Sequence, residues 1–356
     1  MKKTIIAASL ALLAFAACKP DKTVNPTDPI KDQEAKVIND FVDVVAIPQY
    51  NSLAVKADAL DASITALNTT PNQTNLDAAR TAWKDMRTVW EQCEGFLFGP
   101  VENEEYDPFM DTWPTDYVQM DSLLNTSTPL TVQHLQGITL SLRGFHPIEY
   151  IIFGDHGNRL PADITARQRE YMVSLSADLK TNCHALANAW STTGGNYGAV
   201  VKTAGNTANQ TFSSRRALFL AMAQGLIDIA DEVGTGKMEE PYVSMDPKTV
   251  ESPYSGNSVP DFKNNIIGLQ NVYLGRYTAT GNSLSSLVAI NNASLDNAIK
   301  AQIAAAIASF DNITVPYEQA IISQRTQIQA TQATLATLQA TLDGDLKAYI
   351  TQYIKD

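Results

Sequence analysis

The feature that most constrains the fold is the spacing of apolar residues, which follows the period of an α-helix along almost the whole chain. Between Leu53 and Leu67 the apolar side chains alternate steps of four and three residues. That spacing is typical of a helix packed lengthwise against a neighbour. The two-residue alternation of half-buried strands is nearly absent. The sequence therefore predicts an all-α fold.

The same periodicity predicts eight helical segments in two sets of four. The first begins at Lys36 and is interrupted at Pro48. The other seven are predicted over residues 75–93, 129–144, 165–190, 211–233, 259–277, 283–310 and 316–354. Residues 191–210 are rich in Gly, Thr and Asn and form the best boundary between the sets. We predict two antiparallel four-helix bundles, residues 35–195 and residues 205–356.

The N-terminus has the pattern of an export signal. Two lysines precede an apolar run over residues 4–15, and two alanines precede Cys18. We expect a signal peptide over residues 1–17, a lipid on Cys18 and a flexible tether over residues 18–34. This would anchor the protein to a membrane of a Gram-negative bacterium, facing the periplasm or the cell surface. The alternatives are a secreted protein cut nearby or a signal anchor, although a spanning helix needs about 20 apolar residues.

Charge and cysteine content exclude some function classes. The formal net charge of −12 argues against nucleic acid as a partner, because phosphate binding needs a basic face. An acidic balance suits the binding of a cation. Cys93 and Cys183 lack the CxxC spacing of a zinc ribbon or a thioredoxin-type site. They would pair only if the fold brought them together in an oxidising compartment, and the sequence favours two free thiols.

The segment from Gly144 to Glu149 suggests a metal site. His146 is one of only four histidines, and Glu149 follows it by three residues. Residues three apart share one face of a helix, so the imidazole and the carboxylate can converge on one point, as ligands of iron or zinc do. An apolar stripe at helical spacing, which includes Leu135 and Leu142, leads into this segment. Glu149 would then lie at the end of the buried face of a helix, where its carboxylate needs a cation or a hydrogen-bond donor as a partner.

A structural interpretation of the same segment stays open. Pro147 could open a helix at its first position, because proline has no amide hydrogen to offer there. Glu149 would then be the third residue of that helix, where a carboxylate caps the helix start and faces the positive end of its dipole. The two interpretations are compatible in part, since a helix break is a common way to present a ligand.

Other acidic residues are candidates to complete a site. Glu91 and Glu94 lie three residues apart near the end of a predicted helix, and Glu251 lies in the second half. Arg87 could pair with one of them as a structural salt bridge. The acidic stretch from Glu102 to Asp111 is a second cation candidate. It lacks calcium-loop spacing, which favours a solvated loop.

Several motifs in order give the chain a resemblance to a known family. Gly144, His146 and Glu149 match a Gly-x-His-x-x-Glu motif. Further matches are Trp83, Arg87, Trp90, Glu91, Glu94, the run Phe98-Gly99-Pro100-Val101, Trp113-Pro114, the run Glu251-Ser252-Pro253-Tyr254-Ser255, Asp261-Phe262 and Asn265-Ile266. The chain after the tether resembles the imelysin-like proteins, a set of exported bacterial helical proteins.

The resemblance implies a fold, a site and two different functions. The fold is a pair of four-helix bundles with the motif near their interface. For this site we predict His146, Glu149, Glu94 and Glu91 as metal ligands. Our other candidates for the site are Arg87, Asp111, Trp113, Glu251 and Ser252. Some family members are classed as metallopeptidases, and others belong to iron-uptake systems.

The residues favour metal acquisition over peptide hydrolysis. Helical zinc peptidases carry His-Glu-x-x-His or its inverse, and the inverse motif would need a histidine where Tyr150 stands. Metal binding asks only for a few oxygen and nitrogen ligands. We predict that the protein binds a metal ion, with iron preferred over zinc or calcium as its identity. The expected partner is an iron transporter or a surface receptor. The alternatives are a metallopeptidase and a metal-free surface protein that binds a peptide, a glycan or a haem-like ligand, so enzymatic activity stays open.

Overall fold

The computed structural model describes residues 29–355, and this part of the chain is built from α-helices. Its only β-structure is an isolated bridge between Arg276 and Thr280. The all-α prediction is confirmed. None of the described helices is both long and apolar enough to cross a bilayer. The expected signal peptide and the lipid on Cys18 lie outside the described residues.

Eighteen α-helices follow one another along the described chain. Those of the first half are α1 (Pro29–Asp40), α2 (Ile47–Thr69), α3 (Gln73–Cys93), α4 (Pro100–Asn103), α5 (Tyr106–Asp111), α6 (Tyr117–Leu124), α7 (Val132–Leu135), α8 (Phe145–Phe153), α9 (Ala166–Trp190) and α10 (Tyr197–Lys202). Those of the second half are α11 (Arg215–Asp231), α12 (Glu239–Ser244), α13 (Ser258–Leu274), α14 (Leu284–Asn291), α15 (Ala293–Ser309), α16 (Tyr317–Ser323), α17 (Arg325–Thr341) and α18 (Lys347–Tyr353). Three π-helical segments lie at Phe41–Ala46, Glu232–Lys237 and Leu342–Leu346.

The long helices are set by side-chain caps and by the apolar stripes read from the sequence. Asn72 accepts the amide hydrogen of Asn75 at the start of α3, and Thr165 forms a capping box with Gln168 at the start of α9. Helix α2 packs between α3 and α9, and its predicted stripe from Leu53 to Leu67 is buried. In the second half α15 packs along α17, and α11 packs on both α13 and α17.

The two halves meet where α3 crosses α13 at very close range. A Cβ atom placed on Gly268 of α13 would lie 2.3 Å from the carbonyl oxygen of Gln92 on α3. Just past the end of α3, a Cβ on Gly95 would lie 3.0 Å from the backbone of Gly268. The backbones therefore touch directly, with no side chain between them. This contact places the C-terminal turn of α3 among helices of both halves. The division of the chain into two four-helix bundles stays a prediction.

One predicted helix is wrong. Residues 129–144 form a single α-turn, Val132–Leu135, and a 3₁₀ turn, Leu140–Leu142. The first turn ends at Gly137, whose amide bonds back to His134 in a tight three-residue step. Leu135 and Leu142 are buried, and α7 packs on α9. Their spacing reflects burial against a neighbouring helix rather than a helix of their own.

Other predicted boundaries shift for local reasons. The first helix is not interrupted at Pro48, because the π-helical turn Phe41–Ala46 precedes it and Pro48 falls in the first turn of α2. Predicted helix 283–310 divides at Asn292, whose non-helical backbone, with φ −145° and ψ 70°, ends α14 and whose side chain caps α15. Predicted helix 316–354 divides at Gln324. Cys93 and Cys183 are buried free thiols.

Replacing Gly268 by alanine tests the helix crossing. We expect Gly268→Ala to lower the free energy of unfolding by about 1–3 kcal/mol, because the added methyl group must push two backbones apart. Gly344→Ala is the matched control, since a Cβ there meets no atom within 4 Å. Urea unfolding followed by circular dichroism measures both changes. Equal stability of the two variants would contradict the close crossing.

Candidate metal centre

Glycine 144 brings the first turn of α8 against the end of α5. Its φ is +79°, and a Cβ atom on it would lie 1.9 Å from the carbonyl oxygen of Met110. No residue with a side chain fits such an approach. The glycine of the motif thus sets His146, in the first turn of α8, beside Asp111 at the end of α5.

The imidazole of His146 lies between two carboxylates. The residue is fully buried, with its Nε2 atom 2.9 Å from Asp111 Oδ1 and its Nδ1 atom 3.8 Å from Glu149 Oε2. Neither ring nitrogen has a partner in hydrogen-bond geometry. The ring of Trp113 covers one side, with ring centroids 4.7 Å apart. Burial lowers the pKa of His146, but Asp111 and Glu149 outweigh it and raise that pKa to about 9.

Glu149 does not cap its own helix, so the capping interpretation is wrong. Helix α8 begins at Phe145, and Pro147 is its third residue rather than its first. Glu149 Oε1 instead accepts three hydrogen bonds from the second half, from the Tyr254 amide at 3.1 Å, the Ser255 amide at 2.8 Å and the Ser255 hydroxyl at 2.7 Å. Its Oε2 atom has no hydrogen-bond partner. The predicted role of Glu149 as a metal ligand stays a prediction.

Arg87 is the central cation of the site. Its side chain is fully buried, and its guanidinium contacts Asp111 Oδ1 at 2.5 Å, Glu251 Oε1 at 2.9 Å and the carboxylate of Glu91. Asp261 Oδ2 lies 3.8 Å away. Burial raises the pKa of Asp111, but Arg87 and His146 hold it well below its usual range. Asp111 is therefore ionised at neutral pH.

Lys237 forms a second cationic centre beside Arg87. Its Nζ atom lies 3.0 Å from Glu94 Oε2, 3.1 Å from Glu251 Oε1 and 3.4 Å from Glu91 Oε2. Asn265 donates through its Nδ2 atom to the same oxygens of Glu91 and Glu94, at 2.7 and 2.5 Å. Glu251 Oε1 thus contacts both cations, whereas Glu251 Oε2 is buried without a hydrogen-bond partner.

The cluster holds more carboxylates than cations. Its almost fully buried acidic side chains are Glu91, Glu94, Asp111, Glu149, Glu251 and Asp261. Arg87, Lys237 and His146, which its pKa of about 9 keeps protonated at neutral pH, are the cations in direct contact with them. Burial raises the pKa of Glu91 and Asp261 well above their usual range and that of Glu94 to about 8. Protons or a bound cation must supply the missing positive charge.

The residue set fits a divalent cation. Ligand atoms of Asp111, His146 and Glu251 all lie within 4.8 Å of one another. One imidazole nitrogen and two carboxylates form a mixed nitrogen and oxygen set that suits iron and also zinc. His146 Nε2 and Glu251 Oε2 are the donor atoms left without hydrogen bonds. Arg87 already contacts Asp111 Oδ1 and Glu251 Oε1, so it competes with any ion, and Asp111 Oδ2 accepts a hydrogen bond from the Trp90 indole.

A cavity of about 310 Å³ adjoins these residues. Its walls include Asp111, Trp113, Lys237 and Glu251. Further acidic wall residues are Glu94, Asp107, Glu232 and Glu240. Burial, with Asp111 nearby, raises the pKa of half-buried Asp107 to about 7. A cation can reach the cluster from this side.

The structure joins residues that the sequence placed in separate sites. Asp111, from the acidic stretch treated as an independent cation candidate, lies against His146. Glu91 and Glu94 form ion pairs with Lys237. The Ser252 hydroxyl donates a hydrogen bond to Asp261 at 2.7 Å. Sequence reasoning missed Lys237. Nothing in its local sequence signals the role, because its partners come from α3 and from the segment before α13.

Comparisons with known proteins show the family of this chain. The imelysin family model matches residues 46–343. Iron-regulated protein A of Synechococcus elongatus is 33% identical over 243 residues, which cover 68% of this chain and 64% of that protein. The chain therefore spans slightly under two thirds of that relative's length.

Two solved structures share the fold. A protein described as an iron-regulated protein A precursor from Parabacteroides distasonis matches with a TM-score of 0.83 and 25% identity, over 92% of this chain and 97% of that one. An imelysin-like protein from Psychrobacter arcticum matches with a TM-score of 0.73 and 15% identity, over 90% and 96% of the two chains. On the extent of the family match and the identity to its relative, this chain belongs to the imelysin family.

Proposed function

We propose that this protein binds a divalent metal ion, iron, at Asp111, His146 and Glu251 and serves iron acquisition at the cell envelope. One observation carries the proposal. A buried cluster with an excess of carboxylates includes Glu251 Oε2, which has no hydrogen bond, and His146 Nε2, which faces Asp111 Oδ1 at 2.9 Å outside hydrogen-bond geometry. A buried oxygen without a partner is costly, and a cation bound by Glu251, His146 and Asp111 would satisfy it while supplying the missing charge.

The neighbouring residues support this chemistry. Arg87 keeps Asp111 ionised, as an oxygen ligand must be. The Glu149 carboxylate lies 3.8 Å from the Nδ1 atom of His146, and its charge favours the ring orientation in which Nε2 faces Asp111. Because Arg87 also competes for both carboxylates, the ion would bind reversibly. Reversible binding suits a protein that hands its ion to another.

The relatives support iron as the ion, since the two relatives named iron-regulated protein A carry regulation by iron in their names. The N-terminal sequence supports export and attachment of a lipid at Cys18. We accordingly propose a membrane-anchored protein in the periplasm or at the cell surface. Its partner would be an iron transporter or a surface receptor.

A metallopeptidase is the second candidate. The observation in its favour is Glu94, a carboxyl on the cavity wall whose pKa of about 8 suits a general base at neutral pH. Against it, His146 is fully buried, and the other three histidines lie outside the cluster, so two carboxylates would have to complete the zinc site. Metal acquisition requires no base and no access for a peptide.

The first test is titration of the purified protein with Fe²⁺ under anaerobic conditions and with Mn²⁺ in air. We expect one ion per chain. His146→Ala should weaken binding by about 100-fold or more, because it removes the nitrogen ligand. His184→Ala is the matched control, since this exposed histidine pairs with Asp58 at the surface. Unchanged binding by His146→Ala, with its helical content intact, would exclude the site.

Binding should also depend on pH. The ligand form of His146 is the neutral imidazole, and its pKa of about 9 means that a proton occupies it at neutral pH. Below that pKa the neutral fraction rises about tenfold per pH unit, so the association constant for Mn²⁺ should rise by about 100-fold from about pH 6 to about pH 8. A flat profile measured by calorimetry would mean that no proton leaves His146 on binding.

Hydrolysis separates the two candidate functions. We expect the metal-loaded protein to leave a labelled protein substrate intact, because His146 lies too deep for a peptide bond to reach. Release of peptides, followed by fluorescence and lost in Glu94→Gln with metal binding retained, would instead establish the peptidase. The Glu94→Gln variant keeps the shape of the side chain and removes the base together with its ion pair to Lys237, so retained metal binding is the necessary control.

A further inference from the structure

We propose that Lys237 is an internal counterion that occupies the outer part of the cation site in the metal-free protein and swings out when a divalent ion binds. The inference rests on the proposed function and adds the residue that controls access to it. The ammonium group would hold the carboxylates in place until the ion arrives. The divalent ion would replace the ammonium group as the positive charge beside these carboxylate oxygens.

The contacts of Lys237 are those of a substitute for a metal ion. Its Nζ atom lies within 3.0 to 3.4 Å of three carboxylates, those of Glu94, Glu251 and Glu91. Glu251 links this group to the metal centre, because its Oε1 atom contacts Lys237 while its Oε2 atom lacks a partner. An ion bound to Glu251 would therefore lie close to the ammonium. Glu251 already contacts Arg87 and Lys237, and a divalent ion would be a third cation on this one carboxylate, so the repulsion among them favours departure of the cation that can move.

Lys237 can leave, whereas Arg87 cannot. The side chain of Arg87 is fully buried and contacts carboxylates on several sides. The side chain of Lys237 is 12% exposed and forms part of the cavity wall. Glu232 and Glu240 line the same cavity and can receive the displaced ammonium. The long, flexible lysine stem makes this movement a change of rotamer.

The backbone around Lys237 is held on both sides. Gln332 donates to the carbonyl oxygen of Gly234 at 3.0 Å, and the hydroxyl of Tyr317 donates to that of Met238 at 2.7 Å. Lys237 itself ends the π-helical segment Glu232–Lys237, a rare geometry that often marks functional sites. The movement is therefore confined to the side chain, and the rest of the fold stays as it is.

A counterion of this kind selects for ion charge. A monovalent cation gains nothing by replacing an ammonium of equal charge that is already in contact with three carboxylates. A divalent ion brings one more positive charge to a cluster that lacks positive charge, and it can be ligated by His146 as well. The site would therefore discriminate against Na⁺ and K⁺.

Chemical labelling tests the movement directly. The purified protein is treated with an amine-acylating reagent with and without Mn²⁺, and the extent of acylation at each lysine is measured by peptide mass spectrometry. We expect Mn²⁺ to speed acylation of Lys237 about fivefold or more, since three ion pairs no longer protect it. Lys263, which pairs with Asp311 at the surface, is the internal control and should be unchanged.

Metal affinity gives the second measurement. Lys237→Met keeps the stem and removes the competing charge, so we expect Mn²⁺ to bind more tightly by on the order of tenfold. Lys263→Met removes the same charge elsewhere and should have no effect. Binding of Mn²⁺ with Lys237 still protected from acylation would overturn this inference and leave the proposed function standing. If neither the wild type nor Lys237→Met binds Mn²⁺, the proposed function itself is overturned, and this inference with it.

Discussion

The interaction on which the rest of the structure depends is the buried ion cluster around Arg87. A guanidinium without access to water must be surrounded by carboxylates, and here they come from α3, α5 and the segment before α13. Removing one partner of a buried ion pair costs about 3–5 kcal/mol. The same contacts therefore fix the position of Asp111 and of Glu251, the two oxygen donors of the proposed site, relative to α3. The ion pairs of Arg87 therefore hold the helices together and also build the proposed site.

The cluster is built with an excess of acid, and this excess connects stability to function. Arg87, Lys237 and the protonated His146 neutralise only part of the buried negative charge, and burial raises the pKa of Glu94 to about 8, so that a proton neutralises this carboxyl at neutral pH. A bound cation would release such protons. Under the proposed function, protons, lysine and metal compete for the same oxygens. Binding and release of the ion then follow from small changes in pH or in a partner's affinity.

The sequence predicted well what depends on neighbours along the chain. The all-α class and the two long helices α3 and α9 follow from apolar periodicity, because long regular stripes leave little ambiguity. The predicted helix over residues 129–144 failed since burial against α9 imitates helical spacing. The contact of Asp111 with His146 depends on the backbone approach at Gly144, and that of Lys237 on the packing of distant segments. Neither is encoded in local spacing.

The motif itself has a physical explanation that neither sequence interpretation contained. Glycine 144 permits the backbone contact with Met110, and His146, two residues later, faces Asp111. Glu149 uses one oxygen to hold the Tyr254 and Ser255 amides, which follow Glu251, and turns the other toward His146. One carboxylate thus positions two proposed ligands that lie about a hundred residues apart. The spacing of three residues matters because it places His146 and Glu149 on one turn of α8. From there one oxygen of Glu149 faces His146 on the same helix, and the other faces the amides of the second half.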